Sequence, residues 1–128
     1  MRIWSYSSFS TLLLIGFFSS PAASATFLSC PVNVYIPKEP VSQATESYIL
    51  DEGSGTLSWY SPSDGSLKAI DGCSISAAAV VCDGRQDIKI NRSTGSFYAE
   101  TKDENGRVFV MREGQCDPVD DPRKSKKF

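Results

Sequence analysis

Four cysteines carry the clearest chemistry in this sequence: Cys30, Cys73, Cys82 and Cys116. None stands in a Cys-x-x-Cys pair, so neither a thioredoxin-type redox site nor a zinc knuckle is indicated. An even set of cysteines in a small chain predicts two disulfides, which can be connected in three ways. The interval from Cys73 to Cys82 allows two short strands and a tight turn that place these cysteines opposite each other. We therefore favour the Cys73–Cys82 and Cys30–Cys116 pairing.

Catalytic and metal-binding chemistry has few candidate residues. The chain has no histidine, which removes Ser-His-Asp and Cys-His catalysis and every metal site that needs imidazole. The acidic residues Asp51, Asp64, Asp83 and Asp103 lie in apparent turns, where Asp is favoured for backbone reasons. A net charge of −2 argues against a nucleic-acid-binding protein. We expect no catalytic residue, no metal, no cofactor and no nucleic-acid partner.

Residues 1–25 have the three parts of a secretory signal peptide. Arg2 supplies a positive charge, residues 12–18 form a short apolar run, and Ala23-Ser24-Ala25 is an Ala-x-Ala cleavage site. The apolar run is shorter than the ~20 residues needed to span a bilayer. A lipoprotein signal ending at Cys30 is a disfavoured alternative, because Leu28 is large where such signals have a small residue. The sequence therefore predicts a secreted or periplasmic protein with no transmembrane segment after signal cleavage.

The rest of the chain is predicted to be one domain and a short tail. Residues 26–120 form the single domain and carry eight basic and fourteen acidic side chains, a net charge of −6. Residues 121–128 hold four basic side chains against Asp121 and are predicted to be a disordered basic tail. A domain this small buries little core, so the disulfides matter for its stability.

Short β-rich runs separated by turn residues predict an all-β domain. No window of eleven or more residues after the signal peptide shows helical periodicity. Residues 31–37 are bounded by prolines, which is typical of an edge strand, and residues 38–45 are predicted to be a loop. The other predicted strands lie at 47–50, 56–60, 67–70, a 73–82 hairpin, 87–90, 96–99 and 107–111. This pattern favours a small antiparallel meander closed as a barrel or sandwich, stabilised by two disulfides.

Three turns have recognisable chemistry. Residues 51–55 and 91–95 share a pattern of Asp or Asn, three variable residues and Gly. The pattern predicts hairpin loops whose Asp or Asn side chain accepts hydrogen bonds from backbone N–H groups. Asn105-Gly106 predicts a type I′ turn, which needs positive φ at both positions. These turns imply that successive strands pair with their neighbours.

Aromatic residues are the main candidates for a binding surface. Adjacent strand residues point to opposite faces, so one member of Trp59/Tyr60 and one of Phe97/Tyr98 should face outward. Exposed Tyr and Trp side chains anchor many interfaces, although rings also cover the outside of small barrels without a binding role. We take as candidate binding residues Trp59, Tyr60, Ser93, Gly95 and Tyr98.

Residues 88–97, Ile-Lys-Ile-Asn-Arg-Ser-Thr-Gly-Ser-Phe, resemble the I-[D/N]-R-x-[T/S]-G-x-[apolar] signature of small exported bacterial proteins. Those proteins often also end with Gly-x-Cys, here Gly114-Gln115-Cys116, and a short basic tail. The resemblance covers the last third of the chain and implies an all-β fold. With the predicted export, it leads to our first hypothesis, a non-catalytic binding or envelope-associated protein. Its partner would be an extracytoplasmic protein or a cell-envelope component.

A second likeness is to periplasmic inhibitors of c-type lysozyme, which are small disulfide-bearing β-barrels. In that family a Ser-Gly-x-x-Tyr loop enters the active cleft of the enzyme. Residues 93–98, Ser-Thr-Gly-Ser-Phe-Tyr, are similar but have one residue inserted between Ser and Gly. The early Tyr-x-Cys strand of that family has no counterpart. The likeness implies the alternative hypothesis, an inhibitor of a hydrolase such as c-type lysozyme that uses the Ser93–Tyr98 hairpin loop.

Overall fold

The computed structural model describes residues 25–121, which form ten β-strands. The predicted signal peptide, apart from Ala25, and the predicted tail, apart from Asp121, lie outside the described residues. The strands are β1 (Ala25–Tyr35), β2 (Ser42–Asp51), β3 (Thr56–Tyr60), β4 (Leu67–Ala69), β5 (Cys73–Ile75), β6 (Ala79–Asp83), β7 (Gln86–Asn91), β8 (Ser96–Lys102), β9 (Val108–Gln115) and β10 (Asp117–Val119). Within residues 25–121 no helix is long and apolar enough to cross a membrane.

The ten strands form one antiparallel sheet that curls into a half-barrel. The strand order is β4-β3-β2-β1-β9-β8-β7-β6-β5, and β10 pairs with the side of β1 that β9 also uses. β4 and β5 form the two margins of the sheet, and in the described part of the chain they do not pair with each other. The all-β prediction is confirmed, and the sheet is a barrel that stays open along one seam.

The concave face of the sheet holds the hydrophobic core. Side chains alternate between the two faces along each strand, so Tyr48 and Leu50 of β2 face inward together. The core also includes Leu28, Val32, Leu57, Val80, Ile88 and Phe97. A second, smaller cluster on the convex face contains Phe27, Ile49 and Tyr60.

Both expected disulfides are confirmed. Cys73 and Cys82 are directly opposite each other in the β5–β6 hairpin, and their bond closes a local loop. Cys30 lies in the middle of β1, and its bond to Cys116 joins residues separated by 86 positions. Cys30 and Cys116 are both buried. Their bond therefore ties the central strand to the point where β9 ends and β10 begins.

The expectation that residues 31–37 form an edge strand is wrong. β1 is central, because β2 pairs along one side of it and β9 and β10 pair along the other. On that second side, pairing with β10 ends at Ser29 and pairing with β9 starts at Val32. The carbonyl group of Pro31 points to this side, toward Gly114. Proline is tolerated here because the junction of β9 and β10 needs no N–H donor from β1.

The loop expected over residues 38–45 is shorter than predicted. β2 begins at Ser42 instead of residue 47, and its first five residues pair with β1. These residues are mostly polar and exposed, so they show no alternation of apolar and polar side chains. They form a strand because the adjacent stretch of β1 offers its backbone hydrogen-bonding groups.

The turn at Asn105-Gly106 also differs from the prediction. Gly106 has a φ of 80°, but Asn105 lacks the positive φ that a type I′ turn requires. The Asp103 carboxylate accepts hydrogen bonds from the N–H groups of Asn105 and Arg107, at 2.8 and 2.9 Å. The N–H of Gly106 donates to the Asp103 carbonyl oxygen at 3.0 Å. This aspartate fixes a longer loop in which one left-handed residue is sufficient.

We expect the two disulfides to contribute unequally to stability. In the chain-entropy model, a link across 86 positions contributes about 4–5 kcal/mol, and a link across 9 positions about 2.5–3 kcal/mol. The pair Cys30→Ala/Cys116→Ala should therefore lower the free energy of unfolding more than Cys73→Ala/Cys82→Ala, as measured by urea denaturation. Equal losses, or a larger loss for the hairpin pair, would contradict this ranking.

Candidate functional site

The gap between the two margins of the sheet opens into a cavity that we call the mouth. It has a volume of about 570 Å³ and lies between β3–β4 on one side and the β6–β7 turn on the other. Three of its residues form a floor, which consists of Glu46, Tyr48 and Arg112. Three others form a rim, which consists of Trp59, Lys68 and Arg85.

A short linker, residues 70–72, sets the distance between the two margins. The N–H of Ile70 donates to the carbonyl oxygen of Leu57 in β3, and the N–H of Asp83 in β6 donates to that of Gly72, at 2.9 and 3.0 Å. A Cβ atom at Gly72 would lie 2.7 Å from the Asp83 carbonyl oxygen, and the φ of Gly72 is 71°. Only glycine fits both the conformation and the close approach. The linker therefore connects β4 to β5 along the chain, is hydrogen-bonded to β3 and β6, and fixes the width of the mouth.

The floor of the mouth contains a largely buried ion pair. Nε of Arg112 lies 2.8 Å from Oε2 of Glu46, and the two side chains are only 13% and 15% exposed. The register of β1 with β2 and β9 turns both side chains to the concave face, beside Cys30 and Val34. A charge at such a depth is costly unless it is paired, so each of these residues depends on the other.

The guanidinium of Arg112 is held by further contacts. Its Nη1 donates to Oγ1 of Thr101 at 3.1 Å, and its Nη2 donates to Oε1 of Gln86 at 2.9 Å. Its partner across the β8–β9 ladder is Ala99, whose small side chain leaves room for the guanidinium. The Nε–H is not directed at any acceptor within residues 25–121, so its contact with Glu46 is an ion pair without a hydrogen bond at that nitrogen. The guanidinium is thus fixed in one orientation.

Tyr48 completes the floor. Its hydroxyl donates to Oε1 of Glu46 at 2.5 Å, and its ring packs against Phe97 with 5.8 Å between centroids. Burial raises the pKa of the Tyr48 hydroxyl far above its ordinary value, and the nearby Glu46 carboxylate raises it further. Tyr48 therefore stays protonated and serves as a hydrogen-bond donor to Glu46.

The rim carries side chains that can meet a ligand. Trp59 lies opposite Tyr48 on the concave face, yet 38% of it is exposed because it borders the mouth. Lys68 is the cross-strand partner of Trp59 on β4, and Arg85 lies in the β6–β7 turn. Within residues 25–121, neither of these two cations forms an ion pair. Asp71 of the linker adds one carboxylate to the lining.

A smaller cavity of about 310 Å³ lies at the other end of the half-barrel, beside the β7–β8 turn. The side-chain oxygen of Asn91 accepts hydrogen bonds from the N–H groups of Ser93 and Thr94, at 2.8 and 3.0 Å, as the sequence pattern predicts. Gly95 has a φ of 83°, and its carbonyl oxygen accepts a bond from the N–H of Cys116 at 2.7 Å. These bonds fix the shape of the turn.

Arg92 links three hairpin turns at this end. Its Nη2 lies 2.6 Å from Oε2 of Glu52 in the β2–β3 turn. Its Nη1 donates to the carbonyl oxygen of Ser76 in the β5–β6 turn at 2.7 Å. The guanidinium holds the pKa of the Glu52 carboxyl below its usual range. The three hairpin turns are therefore linked at this end of the half-barrel, whereas the sheet stays open at the mouth.

The five candidate binding residues taken from the sequence do not form one site. Ser93 and Gly95 belong to the β7–β8 turn and line the smaller cavity. Trp59 lines the mouth. Tyr98 lies on the convex face of β8, where its hydroxyl donates to the Glu100 carboxylate.

Tyr60, the fifth candidate, is buried. Its ring packs edge-on against Phe27 on the convex face, with 6.0 Å between centroids. The adjacent residues Trp59 and Tyr60 do point to opposite faces, as expected. A residue on the concave face is normally buried and one on the convex face exposed, but here Trp59 is the exposed member and Tyr60 the buried one. Trp59 is exposed because the concave face is open at the mouth, and Tyr60 is buried because it packs in the second cluster on the convex face.

Glu46 and Arg112 were not predicted as site residues from the sequence. Each lies one residue beyond a predicted strand, since Glu46 precedes residues 47–50 and Arg112 follows residues 107–111. Alternation extended by one position would turn Glu46 to the same face as Tyr48. The inward orientation of Glu46 could therefore have been predicted from the sequence. Its pairing with Arg112 could not, because no residue near either position indicates that β2 and β9 bring the two charges together.

Comparison with known proteins adds no assignment. No protein-family model matches the chain, and neither a curated protein nor a solved structure is significantly similar to it. Within residues 25–121, no group of three or more Cys, Asp or Glu side chains is placed to hold a metal ion. The mouth combines a paired polar floor, an aromatic ring above it and two cations that have no ion-pair partner in the described part of the chain, an arrangement suited to binding a ligand.

We expect Arg112→Met to destabilise the fold, because it leaves the Glu46 carboxylate buried and unpaired. The free energy of unfolding, from urea denaturation, should fall by about 3–5 kcal/mol. The double variant Glu46→Gln/Arg112→Met should lose less, since no isolated charge remains. Arg107→Met, at an exposed arginine, is the control and should change stability by less than about 0.5 kcal/mol. An equally small loss for Arg112→Met would show that the pair is not needed.

We expect Arg92→Gln to raise the pKa of Glu52 toward its usual range, as measured by NMR titration. In the wild type the carboxyl's folded pKa is lowered, so the Arg92–Glu52 pair stabilises the fold above the unfolded pKa. That stabilisation is lost as the pH falls through the folded value. Asp87, whose pKa is lowered mainly by a hydrogen bond from Lys102, is the internal control and should not respond. An unchanged Glu52 titration would contradict the link between the three turns.

Proposed function

We propose that this protein is an exported, non-catalytic binding protein and that the mouth is its binding site. The observation that carries this proposal is the pairing of a rigid polar floor with an open rim. Arg112, Glu46 and Tyr48 hold one another in place, while Trp59 is partly exposed above them. A concave site with a few fixed polar groups and an aromatic wall is the usual form of a ligand site.

The contacts of Tyr48 and Glu46 support binding more than catalysis. A general base needs a pKa near the working pH, but Tyr48 keeps its proton because burial raises its pKa. Both oxygens of Glu46 already have partners, Tyr48 and Arg112. The groups that remain available, Trp59, Lys68 and Arg85, are suited to recognising a ligand.

Export is supported by two independent features. Structural disulfides form and persist in oxidising compartments, and this small domain contains two. The second feature is the predicted signal peptide over residues 1–25, which would direct the chain to the periplasm or to the outside of the cell. The partner would accordingly be an extracytoplasmic molecule or a component of the cell envelope.

The alternative of a hydrolase inhibitor stays a prediction. The β7–β8 turn has the fixed shape that an inhibitory loop needs, since Asn91 and Gly95 hold it. Tyr98, however, lies on the convex face and its hydroxyl is engaged by Glu100. The mouth brings more groups together than this turn does, so we place the binding site there.

We expect the wild type to be stabilised by at least one class of envelope-derived small molecule in a thermal-shift screen. A ligand at one hundred times its Kd adds about 2.7 kcal/mol to the stability, which is several degrees in Tm for a domain of this size. Trp59→Ala should abolish the shift, whereas Phe109→Ala, at a residue of similar exposure away from the mouth, should retain it. A screen without a ligand, or a ligand that binds Trp59→Ala equally well, would refute the proposal.

Export can be tested by expressing the protein and locating it in the cell. The full chain is expressed in a bacterium, which is then fractionated, and the first residue of the recovered protein is determined. Recovery outside the cytoplasm with Thr26 first and without free thiols is the expected result. Recovery only in the cytoplasm, with the first 25 residues retained, would overturn this part of the proposal.

A further inference from the structure

The charges of the mouth differ in sign from those of the domain around it. Residues 26–120 carry a net charge of −6. In the mouth, Glu46 is neutralised by Arg112, which leaves Lys68 and Arg85 against the single carboxylate of Asp71. The mouth is therefore a locally positive site on a negative protein, and such a site attracts anions.

Lys68 and Arg85, which form no ion pair within residues 25–121, lie on opposite sides of the mouth. Lys68 belongs to β4, and Arg85 belongs to the turn between β6 and β7. The linker of residues 70–72, hydrogen-bonded to β3 and β6, keeps the two sides of the mouth at a fixed separation. Because Lys68 and Arg85 line the same cavity, an anionic group bound there is attracted by both, and a carboxylate or a phosphate has several oxygens that can accept their hydrogen bonds.

The remaining lining favours a sugar ring. Trp59 presents a flat apolar surface, against which the C–H face of a sugar ring can stack. Asp71 can accept hydrogen bonds from hydroxyl groups, and the side-chain amide nitrogen of Gln86, whose oxygen accepts from Arg112, can donate them. A purely aromatic acid would leave these polar groups without partners, which costs binding free energy.

We propose that the mouth binds an acidic saccharide, a sugar ring that carries a carboxylate or a phosphate. This inference rests on the proposed binding function and names its ligand class. The ring stacks on Trp59, the anionic group contacts Lys68 and Arg85, and the hydroxyl groups bind Asp71 and Gln86. The ion pair of the floor is not displaced.

The sequence supplies a direct probe of this site. Trp4 and Trp59 are the two tryptophans of the chain, so Trp59 is the only one in the full-length Trp4→Phe variant. Its fluorescence is titrated with trigalacturonate, with glucose 6-phosphate, with the neutral trisaccharide maltotriose and with benzoate. We expect one or both acidic sugars to bind at least tenfold more tightly than maltotriose and benzoate, and the two acidic sugars distinguish a carboxylate from a phosphate ligand.

Charge variants test the assigned contacts. Lys68→Gln/Arg85→Gln should weaken binding of the acidic sugar at least tenfold, while Lys89→Gln, at an exposed lysine outside the mouth, should not. Equal binding of maltotriose, tighter binding of benzoate, or no binding of either acidic sugar would overturn the ligand class. If the thermal-shift screen nevertheless yields a ligand that needs Trp59, the binding function stands and only this inference fails.

Discussion

The close approach of β9 to β1 is the constraint on which the rest of the sheet depends. Gly114 has no Cβ atom, and one placed there would clash with the carbonyl oxygen of Pro31. Because the two backbones meet this closely, Cys116 reaches Cys30 and the two form a buried disulfide in the middle of the sheet. This contact joins the β4-β3-β2-β1 half of the sheet to the β9-to-β5 half. The core on the concave face lies between these halves, so it forms only when they are joined.

The sequence predicted two features that depend only on neighbouring residues. The Cys73–Cys82 hairpin and the Asx turn at Asn91 need only local spacing, and both were predicted correctly. The central position of β1 was missed because Pro31 is tolerated only where β9 gives way to β10, which is a long-range property. The pairing of Glu46 with Arg112 was missed for the same reason, since it depends on two strands that lie on opposite sides of β1.

The polar floor follows from the failure of the barrel to close. A closed barrel of this size would fill its interior with apolar side chains, as the core of this half-barrel does with Leu57, Ile88 and Phe97. At the mouth, charged and polar groups replace them. Arg112 and Glu46 are placed beneath this opening, where each costs desolvation free energy unless the other is present. The positions beneath this opening, which are not part of the apolar core, are therefore the ones that we propose for ligand binding.

The linkage of hairpin turns by Arg92 has a consequence for how the domain fluctuates. One end of the seam is held by this side chain, and the other end is bordered by β4, a strand of three exposed residues. Local opening starts where few buried contacts and few ladder bonds must be lost, so the sheet unrolls from β4 inward. Amide protons of Leu67–Ala69 then exchange with solvent before those around Cys30. A molecule that spans the seam would slow this exchange at β4 from a distance, without touching the central strand.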